Sequence, residues 1–88
     1  MPYIPKKDRD RYNPHIKSLL QELHISNYDI GHINYIFTLI IINIWKAFPR
    51  YATIASIRGM LSDVKDEFYR RYAAPYEDKK IKRNGDVK

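Results

Sequence analysis

Tyrosine and arginine crowd into one short stretch near the end of the chain. Between Glu67 and Lys79 stand Tyr69, Arg70, Arg71, Tyr72 and Tyr76. Arginine forks onto phosphate oxygens through parallel N–H donors, and a tyrosine ring can stack on a nucleobase. The stretch could therefore hold a phosphorylated aromatic ligand. Arg70, Arg71 and Lys79 would meet phosphate, while Tyr69, Tyr72 or Tyr76 stacks on the base. Tyr3, Lys6 and Lys7 near the opening carry the same chemistries and could close such a pocket from an adjacent chain. A plainer reading competes with this one. On a helix, Glu67 faces Arg70 and Arg71 at i+3 and i+4, and exposed ion pairs of that kind are worth only about 0–1 kcal/mol each.

Other chemistry has less support. His15, His24 and His32 lack the paired spacing of helical metal ligands. His24 suits the positive end-charge of a first helix, and His32 suits a hydrogen-bonded interface. Asp63, Asp66 and Glu67 form one acidic group, with Asp63 and Glu67 on a shared face. All-helical nucleotide pyrophosphatases hold magnesium with several such acids, but a second matching acid pair is missing here. A solvated face balancing Arg58, Lys65 and Arg70 is the more economical interpretation. Ser18, Ser26, Ser56 and Ser62 sit in no nucleophile motif, and Gly31, Gly59 and Gly85 are too far apart for a phosphate loop. The absence of cysteine removes thiolate metal sites, disulfides and cysteine nucleophiles, and it fits a reducing compartment. The expectation is a non-enzyme without cofactor or metal.

These side chains need elements to position them, and 88 residues suffice for one small domain. Residues 1–13 read as an arm and turn, because Pro2 and Pro5 disfavour helix in the opening. Asp8 suits a helix cap or first turn. Asn13 then caps a main first helix over 14–24, with Pro14 in its first turn and Ile16, Leu19, Leu20 and Leu23 as its apolar stripe. Ser26 or Asn27 caps a second helix over 28–48, with Asp29 in the first turn. That helix is apolar nearly all round, from Ile30 through Phe37 and Ile41 to Phe48. Such a helix must be buried on several sides, which one short protomer can hardly achieve. A strand over Thr38 to Trp45 is conceivable from its isoleucines, but the length and the flanking helices oppose it.

The third helix spans 51–74, with Thr53 near its cap and a stripe of Ile54, Ile57, Leu61, Val64, Phe68 and Tyr72. The alternation of three and four through Phe68 is the seam of a coiled-coil-like pair. Gly59 suggests a close helix crossing, and Pro75 should stop the helix. Residues 75–88 then form a charged tail with one turn signal, Asn84-Gly85. The fold class expected is all-α: three helices with an extended N-terminal arm and a charged C-terminal tail, assembled as a homo-oligomeric bundle.

Charge narrows the partners. Sixteen basic against ten acidic residues leave a formal +6, which favours anions. Nucleic acid is one candidate, since Lys6, Lys7, Arg9 and Arg11 open the chain while Lys79, Lys80, Lys82, Arg83 and Lys88 close it. Asp8, Asp10, Glu77, Asp78 and Asp86 interrupt both segments, as in ordinary soluble tails. A membrane span over Ile30 to Phe48 has nearly the required length, but His32, Asn34, Asn43 and Lys46 would be costly in lipid.

The two ends of the chain also resemble a known family. Met-Pro-Tyr-Ile-Pro-Lys-Lys-Asp-Arg (1–9) is similar to the start, and the stretch from Glu67-Phe-Tyr-Arg-Arg through Ala-Pro-Tyr-Glu-Asp-Lys-Lys-Ile-Lys to Asn-Gly-Asp-Val87 is similar to the end, of a family of short uncharacterised proteins. Gly31-His32-Ile33-Asn34-Tyr35 resembles a Gly-x-hydrophobic-Asn-Tyr segment of the same family. The resemblance implies a three-helix protein of mobile-element ancestry, found in prokaryotic viruses and in bacterial and archaeal genomes, and so a cytoplasmic setting. It carries no catalytic residues. By analogy with small viral proteins that sequester nucleotide signals of host immunity, the expectation becomes a homo-oligomer binding small anionic nucleotides. Its alternatives are a nucleic-acid-binding accessory protein and a structural or protein-interaction oligomer.

Overall fold

Three helical rods joined by two short turns make up the chain, with all-α secondary structure throughout the described residues. A computed structural model describes residues 2–88; Met1, which opens the expected arm, lies outside them. The first rod, α1, spans Lys6–Ile25. The second, α2, spans Ile30–Ala47, and α3 spans Tyr51–Phe68. A π-helical turn, Tyr69–Ala73, joins α3 without a break to α4, Ala74–Asn84.

Several expected boundaries move. α1 begins at Lys6, eight residues before the expected start, with Pro5 rather than Asn13 at its cap. The Pro5 carbonyl accepts from the amides of Asp8 and Arg9 at 3.0 and 3.1 Å. Pro14 lies inside the helix, where it cannot donate to the Asp10 carbonyl. α1 has no buried residue, so water can satisfy that carbonyl and the interruption is tolerated. Asp8 stays in the first turn and His24 in the last, where each complements the helix dipole.

Asn27 and Tyr28 both take left-handed backbone conformations, with φ of 57° and 56°. They reverse the chain, so neither Ser26 nor Asn27 caps α2. Asp29 does, accepting from the Gly31 amide at 2.8 Å. A side chain at Gly31 would bring a Cβ within 3.0 Å of that cap oxygen, which accounts for glycine there. α2 is helical through the whole isoleucine run, so the strand alternative over Thr38 to Trp45 fails. Arg50 is the N-cap of α3, and Thr53 sits in the first turn instead of at the cap. Thr53 is nonetheless the one buried residue among those described, at 8% exposure.

Pro75 does not stop the third rod. Its missing N–H and its ring conflict with the carbonyl four residues back. The π turn just before it opens that spacing: the Ala74 amide donates to the Tyr69 carbonyl, five residues away. The expected tail over 75–88 is therefore helical as far as Asn84. Gly85, at φ 86°, then ends the helix and donates to the Ile81 carbonyl at 2.8 Å.

Among the described residues no apolar side chain is fully buried. Ile33, Ile36, Ile41 and Ile44 on α2 and Leu23 on α1 are half-buried, and the larger part of the apolar surface is open. The radius of gyration is 17.0 Å, against about 12 Å for a compact domain of this length. The surface is 8181 Å², whereas a folded monomer of this mass exposes roughly 5,500 Å². Gly59 faces open space, so no close helix crossing forms there within the chain.

Candidate functional site

The N-terminal arm folds back across α3 and meets it near the π turn. Pro2 and Pro5 keep the arm extended, as their fixed φ requires. This delivers Tyr3 to the Glu67, Arg70 and Arg71 side chains, more than sixty residues away in sequence. Helical spacing explains why those three residues converge: i, i+3 and i+4 share one face.

One carboxylate oxygen organises the cluster. Glu67 Oε1 accepts from the Tyr3 hydroxyl, from Arg70 Nη2 at 2.7 Å and from Arg71 Nε at 2.6 Å. Arg70 Nη2 also donates to the Tyr3 hydroxyl oxygen at 2.9 Å, and Arg71 Nη2 reaches it at 3.4 Å. The Arg71 guanidinium lies 5.8 Å from the centre of the Tyr3 ring, within cation–π range. The Tyr3 hydrogen bond and the two guanidiniums hold the Glu67 carboxyl below its usual range. The hydrogen bond to Glu67 raises both arginines in turn, with Tyr3 adding to it. Both guanidiniums remain cations throughout any ordinary pH range.

Pro2, Tyr3, Asp63, Asp66, Glu67 and Arg70 line a cleft of about 180 Å³ beside this clasp. The acidic group expected as a solvated face thus borders the docked arm. Among the described residues, no group of three or more His, Asp and Glu has a metal-holding arrangement.

The remaining expected site residues are placed separately. Lys6 pairs with Asp10 at 2.7 Å on α1, and Lys7 and Lys79 are exposed. Tyr69 turns to Glu77 at 3.5 Å. Tyr72 stacks on Phe68, with centroids 6.1 Å apart, and the Lys80 ammonium stands 5.5 Å over the Tyr76 ring. Within one chain the structure brings together Tyr3, Arg70 and Arg71, and it leaves Tyr69, Tyr72 and Tyr76 in contacts of their own. Sequence reasoning had Glu67 as an ion-pair partner of Arg70 and Arg71 and as a member of the acidic group with Asp63 and Asp66. Its place at the centre of the clasp depends on the arm's return, which no local spacing encodes.

Three larger grooves are almost wholly apolar. One, of about 570 Å³, runs along α2 past Ile36, Ile40 and Phe48. Another, of about 540 Å³, lies between α1 and α2, with Glu22, His32 and Tyr35 at its polar points. A third, of about 450 Å³, follows α1 past Ile16, Leu20 and Tyr28.

Residues 1–87 match a family described as a domain of unknown function, DUF6899. The chain belongs to that family. The match covers both the arm and the π turn, so both halves of the clasp lie within the DUF6899 unit. No curated protein and no solved structure matches the chain.

Proposed function

We propose that this DUF6899 protein is a non-catalytic homo-oligomer that binds small anionic ligands of the nucleotide class at the Tyr3–Arg70–Arg71 clasp. One observation carries the ligand reading. Glu67 occupies only part of each guanidinium, and the Arg70 and Arg71 side chains stay 66% and 54% exposed beside an aromatic ring. A guanidinium offers five donors, so phosphate oxygens can be met by those pointing outward while Glu67 keeps the fork in place. The net charge of +6 attracts such ligands from a distance. Binding without turnover amounts to sequestration, the role suggested by analogy with small viral proteins that sequester nucleotide signals.

The test is calorimetric titration of the protein with mono-, di- and cyclic nucleotides. Arg70→Ala and Arg71→Ala should each weaken a genuine ligand by about tenfold or more, the usual cost of a lost charge-assisted contact. A blank panel would reject the nucleotide reading. Oligonucleotide binding that falls steeply with salt would instead support the nucleic-acid alternative.

A second reading, a structural or protein-interaction oligomer without small ligand, is favoured by the lack of any buried apolar side chain among the described residues. It predicts the same assembly, no nucleotide titration, and no effect of Arg70→Ala on activity in the cell.

A further inference from the structure

The π turn does more than accommodate Pro75. An α-helix turns ~100° per residue, so the stripe Ile54, Ile57, Leu61, Val64 and Phe68 keeps one face by alternating steps of three and four. Continued in pure α-helix, Tyr72 and Tyr76 would follow at steps of four and drift progressively off that face by ~40° each. A π turn inserts one extra residue and rotates everything after it backwards by roughly one residue's worth. The turn at Tyr69–Ala73 lies where that correction is needed. Tyr72 then stacks on Phe68, and by the same helical arithmetic the extra residue returns Tyr76 to the stripe. The result is one apolar and aromatic ridge from Ile54 to Tyr76, roughly 33 Å long at the α-helical rise.

Among the described residues, Ile57 is half-buried and the rest of the ridge is open. Phe68 is 63% exposed and Tyr72 65% exposed. The arm docks on a different face, through Glu67, Arg70 and Arg71. We infer that the ridge from Ile54 through Leu61 and Phe68 to Tyr76, kept in register by the π turn, is the surface on which a second copy of this chain docks, and that folding and assembly occur together.

Three observations select that occupant. The three-four spacing fits knobs from another helix, and this chain carries such helices. By helical spacing the ridge is bordered by Arg58 and Lys65, charges that a lipid surface would strip of water. The surface in excess of a compact monomer is roughly 2,700 Å² per chain over all its helices, or roughly 5,400 Å² for a pair, at the upper end of obligate homodimer interfaces. A protomer with no buried apolar side chain has little to hold it together alone.

The inference rests on the homo-oligomer of the proposed function and adds where the copies meet. Sedimentation velocity and thermal unfolding of the full chain, over roughly two decades of concentration, test it. Three variants accompany the wild type: Leu61→Glu at mid-ridge, Tyr76→Ala at its far end, and Ser62→Glu off the ridge. The wild type should sediment as an assembly, and its Tm should rise with concentration. Leu61→Glu should dissociate it, Tyr76→Ala should weaken association by about tenfold, and Ser62→Glu should leave it unchanged. Tyr76→Ala guards against misreading an unfolded Leu61→Glu chain, because Tyr76 projects from α4 and can be trimmed without disturbing the protomer. An assembled wild type whose ridge variants assemble equally well would overturn this inference alone and leave the homo-oligomer standing. A folded, monomeric wild type would overturn both, and so would a chain soluble only in detergent.

Discussion

Glu67 is the residue on which the arm depends, and its protonation state should govern that contact. Its folded carboxyl is held below the ordinary value by the Tyr3 hydrogen bond first and by Arg70 and Arg71 next. A depressed carboxyl contributes stability that is fully present above its unfolded pKa and is lost as pH falls through the folded one. The arm should therefore stay docked at neutral pH and loosen below about pH 4, where glutamate normally titrates. The Tyr3 ring signals in NMR, followed against pH together with the Glu67 carboxyl, would register that release; a ring that stays docked after the carboxyl has titrated would contradict it. Tyr3→Phe keeps the ring but removes the hydroxyl that Glu67 accepts. It should move the Glu67 midpoint back toward the ordinary value in a carboxyl NMR titration, while Arg71 keeps its contact with the ring. The side-chain types of this cluster were legible in the sequence, because the i, i+3, i+4 spacing of Glu67, Arg70 and Arg71 is local. The return of Tyr3 was not, since a contact across 64 residues leaves no periodic trace.

At the scale of elements, the caps and the π turn decide how the rods are placed. Asp29 closes the start of α2 through the Gly31 amide at 2.8 Å. Asp29→Ala should cost about 1 kcal/mol of stability, measured by urea unfolding, as for other N-cap deletions. Pro75→Ala is the more informative change. It restores an N–H and removes the ring, so the π turn can relax to α-helix. Helicity by circular dichroism should hold or rise, while Tyr76 swings ~100° away from the ridge and association weakens. Helicity and association rising together would contradict the role given to the turn. The three rods were legible from the apolar spacing of Leu19, Leu23, Ile33, Leu61 and Phe68. Their ends were misread where proline rules were applied in isolation. Pro14 is tolerated because α1 is open to water, and Pro75 because a wider turn precedes it. Neither circumstance shows in the residues adjacent to the proline.

At the scale of the whole molecule, an amphipathic chain has folded its helices without a closed core. Sequence reasoning reached this point through α2, whose isoleucines surround the helix and leave no face for water. The open arrangement gives that reading a magnitude, since 8181 Å² of surface is far more than a chain of this mass exposes when compact. What the sequence could not convey is the direction in which α2 leaves α1, because that depends on the left-handed turn at Asn27 and Tyr28. The Tyr3–Glu67–Arg70–Arg71 clasp and the long ridge lie on different faces of the third rod, so the proposed ligand binding and the proposed assembly are separable by mutation. Thermal unfolding of the wild-type chain, followed by circular dichroism across roughly two decades of protomer concentration, tests the central claim most directly. Coupled folding and assembly predicts a midpoint that climbs steadily with concentration. A single midpoint at every dilution would mean that the lone chain is stable by itself, in contradiction to the account.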